Sequence, residues 1–335
     1  MDVEVKKVKG CSATKVSYIT HGCLTMDRLH LLPVPSFKSG FTTCALINVP
    51  AIEHVPLEDP SLGVHKITSR TNHPLVTPPS TTAHSLVDQE TGANTLALSD
   101  SSTDPKQAWE ALYPRGSINP SGKIPGGFGF YLAGPKDFAD KLTIEGGATH
   151  VVLSYRMMLQ HDWEWVKGGK LPGIFGGEGD TSYSCTGGQQ QHRCQCFNIR
   201  PMWRANGQGE LYTYLPLLDS NRDRLSAVPP YSKQNPDYGM SVGRGAFSFD
   251  AAVGNWISLA FRVKLNEIGQ EDGQLELFVE GKSVIHAVGL VFRTSNTSRI
   301  KGAHFQTFFG GHTEDWASPK DQRAWFTDVT GAVVG

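Results

Sequence analysis

Lys170, framed by glycines in Gly168-Gly169-Lys170-Leu171-Pro172-Gly173, is followed by Asn198-Ile199-Arg200 and then by Tyr212-Thr213-Tyr214. In an extended chain, residues two apart project from one face. Asn198 and Arg200 therefore share a face, as do Tyr212 and Tyr214, while Ile199 and Thr213 turn the other way. The link Ala205-Asn206-Gly207-Gln208-Gly209 has the composition of a hairpin turn. Arg200 meets a tyrosine only if paired residue numbers sum to an even value. A two-residue Asn206-Gly207 loop gives an odd sum and puts arginine and tyrosines on opposite faces. A shared surface thus requires a loop of three or five residues, with Gly207 or Gly209 taking the positive φ of a bulge.

Taken singly, these residues have ordinary explanations. A lysine between glycines suits an exposed loop, strand tyrosines pack on their neighbours, and an arginine at a groove edge makes an ion pair. Together they suit β-elimination at a uronic acid. Taking the C5 proton of a uronate adds charge beside a carboxylate already negative, so cations and hydrogen-bond donors have to be aimed there. Lys170, Arg200 and the Asn198 amide fit that need. A phenol whose pKa, about 10 unperturbed, is lowered by nearby positive charge would take the proton. The same or the second tyrosine would protonate the departing O4. Two other classes compete: a glycosidase using carboxylates among Asp162, Glu164, Glu178 and Asp180, and a module that binds glycans without cleaving them. No G-x-S-x-G or H-E-x-x-H occurs, and Gly281-Lys282-Ser283 reads as a hairpin turn, since Glu276 stands where a phosphate loop has its first glycine.

Strands have to position these groups. With Gly 36, Pro 20 and only 19% charged residues in 335, the chain favours many turns over long surface helices. A net charge of -1 gives no general pull toward nucleic acid or an acidic membrane. No apolar run approaches the ~20 residues of a membrane helix. The first residues lead into no apolar signal segment, so a soluble protein is expected. The six cysteines fall into two groups, Cys11, Cys23 and Cys44, then Cys185, Cys194 and Cys196. The second group lacks the paired C-x2-C units of zinc sites. A Cys185–Cys196 disulfide before the Asn198 strand is expected, with free thiols the alternative in a reducing compartment. No metal or other cofactor is called for.

Residues 1–71 read as a small β-rich front module, residues 72–104 as a Pro/Ser/Thr-rich linker, and residues 105–335 as the main domain. Within the last, 106–112 reads as a short helix. Residues 151–160, 246–249, 256–265, 275–279, 284–292 and 304–309 read as strands separated by turns. Arg156 and Gln160 share one face of the first of these and join Asn198 as substrate-binding candidates. His161, His304 and His312 fall near the groove in this reading. Many short strands imply an all-β sandwich of jelly-roll type, with one concave face able to hold a polymer.

The segments GGKLPGIFGG, CFNIRPMWR, GELYTYLP, DYGMSVGRG and FQTFFGGHTEDWASPKDQ together resemble polysaccharide lyase family 14, the alginate and glucuronan lyases of chlorella viruses, molluscs and fungi. The resemblance runs from about Trp109 to the C-terminus. It implies a β-jelly roll with the active site in its groove, the family lysine at Lys170, the arginine at Arg200 and the tyrosines at Tyr212 and Tyr214. Where the family commonly has serine, this chain has Asn198, which can donate a hydrogen bond but has no hydroxyl proton. The two-part layout looks most like the chlorella-virus enzymes, implying synthesis in a host cytoplasm and attachment to algal cell wall through residues 1–71. The expectation is a monomeric, endo-acting, metal-independent lyase of anionic polysaccharide, glucuronan first and alginate second.

Overall fold

The computed structural model describes residues 30–81, 85–87, 94–96, 104–143, 147–235 and 237–335. Two nine-stranded sheets pack face to face. In spatial order the front sheet holds Lys233–Gln234, Met240–Ser248, Gln208–Tyr214, Cys196–Arg204, Gly168–Lys170, Arg299–Phe309, Phe128–Leu132 and Val64–His65. Gly173–Gly177 continues the line of Gly168–Lys170 between the same two neighbours. The back sheet holds Lys282–Leu290, Gly273–Val279, Ile257–Lys264, His150–Leu159, Gln322–Val333, Ser39–Thr42 and Ile52–His54, with Ala108–Tyr113 and Leu75–Val76 branching from Gln322–Val333. This is the expected β-jelly roll.

Alternation along the strands decides what lies between the sheets. Phe197, Ile199 and Trp203 enter the core from one front strand, and Leu153, Tyr155 and Met157 from the facing back strand. Phe130 stacks on Phe128 at 5.4 Å and on Phe305 at 5.3 Å, with the edges of Trp109 and Tyr155 closing on Phe305. Truncating one of these rings to alanine would cost ~3–5 kcal/mol. Asn198, Arg200 and Met202 are thereby turned to the outer face of the front sheet.

Two expectations are corrected. Residues 106–112 do not form a helix, because Ala108–Tyr113 pairs with Gln322–Val333 and alternates Trp109, Ala111 and Tyr113 into the core. A sheet edge with a buried face overrides weak local helix preference. Nor do residues 39–42, 64–65 and 75–76 stand apart from the main domain. Ser39–Thr42 lies on Gln322–Val333, Val64–His65 on Phe128–Leu132 and Leu75–Val76 on Ala108–Tyr113, so these segments complete the sandwich. Cys11 and Cys23 lie outside the described residues. Among the described residues, no helix is long and apolar enough to cross a membrane.

Candidate active site

The hairpin settles the register. Asn198 pairs with Tyr214 and Arg200 with Tyr212, so all four side chains share the outer face. The loop is Ala205–Gly207, three residues, with Gly207 at φ 69° and Asn206 at φ 58°. Lys170 joins them from the next strand, opposite Met202 and Phe308. Gly169 is needed beside it, since a Cβ there would meet the Trp203 ring at 2.0 Å and the Phe308 carbonyl at 2.5 Å.

The strand that carries Lys170 breaks at Leu171-Pro172 before resuming at Gly173. A break leaves carbonyls without ladder partners, and both are taken. Arg200 Nε donates to the Leu171 carbonyl at 3.1 Å from the outer face, and the Tyr155 hydroxyl donates to the Pro172 carbonyl at 2.8 Å from the core. Arg200 also donates through Nη1 to Gln306 Oε1 at 3.0 Å and through Nη2 to the Gln306 carbonyl. Its plane lies 5.3 Å from the Phe308 ring centre. The guanidinium is thus aimed rigidly, and none of these partners is a carboxylate.

Lys170 Nζ lies 4.6 Å from the ring centre of Tyr212 and 5.3 Å from that of Tyr214. Removal from water, reinforced by the charges of Arg200 and Arg204, holds its amine well below the usual lysine range. Arg200 is lowered to about 10, chiefly by burial. The Asn198 amide donates to His304 Nδ1 at 2.8 Å, which fixes a neutral imidazole with its proton on Nε2. Burial, then Arg200 and Lys170, keeps His304 well below its ordinary 6.5. Tyr131 stacks on His304 at 4.3 Å. Arg193 lies 4.2 Å from the ring centre of Tyr214, from the loop that the Cys185–Cys196 disulfide closes. That disulfide is the one expected; Cys194 is free and exposed.

One polar atom here is buried without a hydrogen-bond partner, Asn198 Oδ1, while the Tyr214 hydroxyl meets the Gly188 backbone amide. The Tyr212 hydroxyl accepts from the Gly239 amide at 3.1 Å. The expected lowering of a phenol by the cations does not occur. Burial outweighs Arg193, Arg200 and Arg204, and both phenols are raised, Tyr214 the more strongly.

Lys170, Asn198, Arg200, Tyr212 and Tyr214 are therefore brought together. Arg156 and Gln160 are not: they belong to the outer face of the back sheet, where Arg156 pairs with Asp328 at 3.1 Å and Gln160 donates to Asp162 at 2.7 Å. Asp162 and Glu164 are tied to Lys320 at the surface, Glu178 is half-buried and Asp180 exposed, with no facing pair of carboxylates among them. Of the three histidines, only His304 reaches the cluster; His161 and His312 are exposed. Tyr131 and Arg193 carried no local signal. His304 and Gln306 were legible only as the outward-facing members of an alternating strand whose groove side the sequence leaves open.

The family model for polysaccharide lyase 14 matches residues 101–329. The chain belongs to polysaccharide lyase family 14. The lyase is similar to the marine PL-14 alginate lyase from Aplysia kurodai, at 31% identity over 69% of this chain and 84% of that one, with a TM-score of 0.58. It shares its fold with alginate lyase vAL-1 from Chlorella virus, at 20% identity over 82% of this chain and 93% of that one, TM-score 0.55. No curated protein in the comparison matches the lyase.

Proposed function

We propose that this lyase cleaves 1,4-linked polyuronate chains within the polymer by syn β-elimination, leaving a 4,5-unsaturated uronate at each new non-reducing end. The observation that carries the reading is a lysine amine lying over two phenol rings beside an arginine that no carboxylate neutralises. A substrate carboxylate would supply the missing negative charge, held by Arg200 and by the Asn198 side chain, while the unpartnered Asn198 Oδ1 is left for a sugar hydroxyl.

The pKa directions redistribute the roles expected from sequence. A phenol raised by burial holds its proton and suits the acid, whereas an amine whose pKa is lowered by burial gives up its proton more readily and suits the base. Lys170 takes the C5 proton, the C4–O4 bond breaks as C4=C5 forms, and Tyr212, the less buried phenol, protonates O4. In glucuronate and mannuronate, H5 and O4 lie on one side of the ring, so both transfers happen on one face of the sugar. The alginate named for both relatives puts polymannuronate beside glucuronan as first substrate. Wall attachment, if the front of the chain provides it, falls to residues 1–29, since 39–76 are built into the sandwich.

The test is a panel of glucuronan, polymannuronate and polyguluronate followed by ultraviolet absorbance of the unsaturated product. Absorbance should rise with at least one polymer and chain length should fall early, as internal cleavage requires. No rise with any uronate polymer would overturn the proposal.

A further inference from the structure

The front sheet does not end at the catalytic cluster. Beyond His304 its outer face continues through rings: Tyr131 on His304 at 4.3 Å, Tyr183 edge-on to Tyr131 at 4.7 Å, and Lys66 Nζ over the Tyr183 ring at 4.3 Å. Tyr131 and Tyr183 are half-buried and Lys66 is exposed. Residues 65 and 66 precede the region that matches the family model, yet His65 pairs directly with Tyr131 in the sheet.

This edge is fixed. His65 Nδ1 donates to the Gly63 carbonyl at 2.9 Å, which makes the other nitrogen of a neutral ring an acceptor. The Tyr183 hydroxyl donates to that nitrogen at 2.9 Å. Tyr183 closes the turn that leads into the Cys185–Cys196 loop, so the 64–66 segment braces the same loop that carries Arg193. Lys66 stands at φ 50°, a left-handed conformation that side chains other than glycine seldom adopt. Its ammonium rests on a ring, and no ion pair with a carboxylate engages it among the described residues. A ring holds a cation without cancelling its charge.

We propose that Lys66, held on Tyr183 by the His65 brace, forms a carboxylate-binding subsite for a further uronate residue of the same polymer, on the Tyr131 side of the catalytic cluster. This rests on the polyuronate reading above. A polymer lying along the outer face would place successive carboxylates over alternating cationic and aromatic ground, with Lys170 and Arg200 at the cleaved residue and Lys66 beyond it. Short oligomers that do not reach Lys66 would gain nothing from it.

The test compares Lys66→Ala and Lys66→Glu with the parent protein on a long polyuronate at low salt. Because Lys66 is exposed, neither change burdens folding. KM should rise about two- to fivefold for the alanine variant and about tenfold for the glutamate variant, with kcat changed far less. The gap should close at high salt. Lys66→Arg should restore KM, and Lys282→Ala, on the far edge of the back sheet, should leave it alone. Retardation of the same variants in a polyuronate-containing gel reads binding independently of turnover. Equal KM and equal retardation for parent and Lys66→Glu would overturn the subsite while leaving the lyase reading intact. Absence of unsaturated product from the parent protein would sink the lyase reading, and the gel alone would then decide the subsite.

Discussion

The outer faces of the two sheets treat charge in opposite ways. On the back sheet, Arg156 meets Asp328 from the neighbouring strand and Arg262 meets Glu276 directly across, each cation with its carboxylate. On the front sheet, Lys170 and Arg200 have neighbours of every polar kind except a carboxylate within ion-pair distance, among the described residues. Only four residues along the hairpin from Tyr214, the front sheet reverts to the paired pattern: buried Glu210 takes Arg204 at 2.5 Å and Arg244 at 2.7 Å. An unpaired buried cation is costly, and one that persists is explained by a ligand that completes it. Compensated charge marks structure here, and uncompensated charge marks the place proposed for the substrate carboxylate.

The sharpest way to break this comparison is to remove one cation from each face. Lys170→Ala should lower kcat/KM by about two to three orders of magnitude while leaving the melting temperature unchanged or higher, because the buried amine it deletes has no carboxylate partner. Arg156→Met should do the reverse. It removes the guanidinium 3.1 Å from the Asp328 carboxylate in a largely buried position, which destabilises the fold and is seen as a lower denaturation midpoint, with activity per folded molecule retained. If Arg156→Met impaired turnover without loss of stability, the back sheet would carry function after all.

The base assignment sharpens the comparison further. If Lys170 acts as a neutral amine, kcat/KM should climb about tenfold per pH unit on the acid side, flattening once pH passes the lowered lysine pKa. The raised phenols push the alkaline decline upward. A profile flat from acid to neutral pH would remove Lys170 from that role and return it to charge neutralisation alone.

How much of this was legible in the chain follows from how local each feature is. The pairing of Arg200 with Tyr212 is fixed by a turn a few residues away, and parity alone required a loop of three or five residues, of which three is found. The alternation that groups Arg156 with Gln160 was equally readable, but which sheet and which face that strand joins depends on Gln322–Val333 and Ile257–Lys264, far away in sequence. His304, Tyr131 and Lys66 are neighbours only through strand pairings that cross most of the chain. The phenol pKa direction failed for a related reason. Nearby cations were visible in the sequence, whereas the loop that buries Tyr212 and Tyr214 had no local mark of its position.

The smallest effect concerns acid stability, and it too separates the faces. His304 on the front sheet is held well below 6.5, and His150 on the back sheet is lowered to about 4, both mainly by burial. In the unfolded chain each histidine binds a proton near its ordinary pKa, so below about 6.5 the unfolded state holds more protons than the folded one. Their contribution is therefore fully present above 6.5 and is lost as pH falls, by up to about 1.4 kcal/mol per pH unit for each histidine. His304→Gln keeps an acceptor for the Asn198 amide but cannot titrate. Denaturant midpoints between pH 6 and 4 should then fall about half as steeply as in the parent, the remaining slope belonging to His150. An unaltered slope would mean that the His304 imidazole gains its proton in the folded protein without penalty, and that the catalytic trough is wetter than its packing implies.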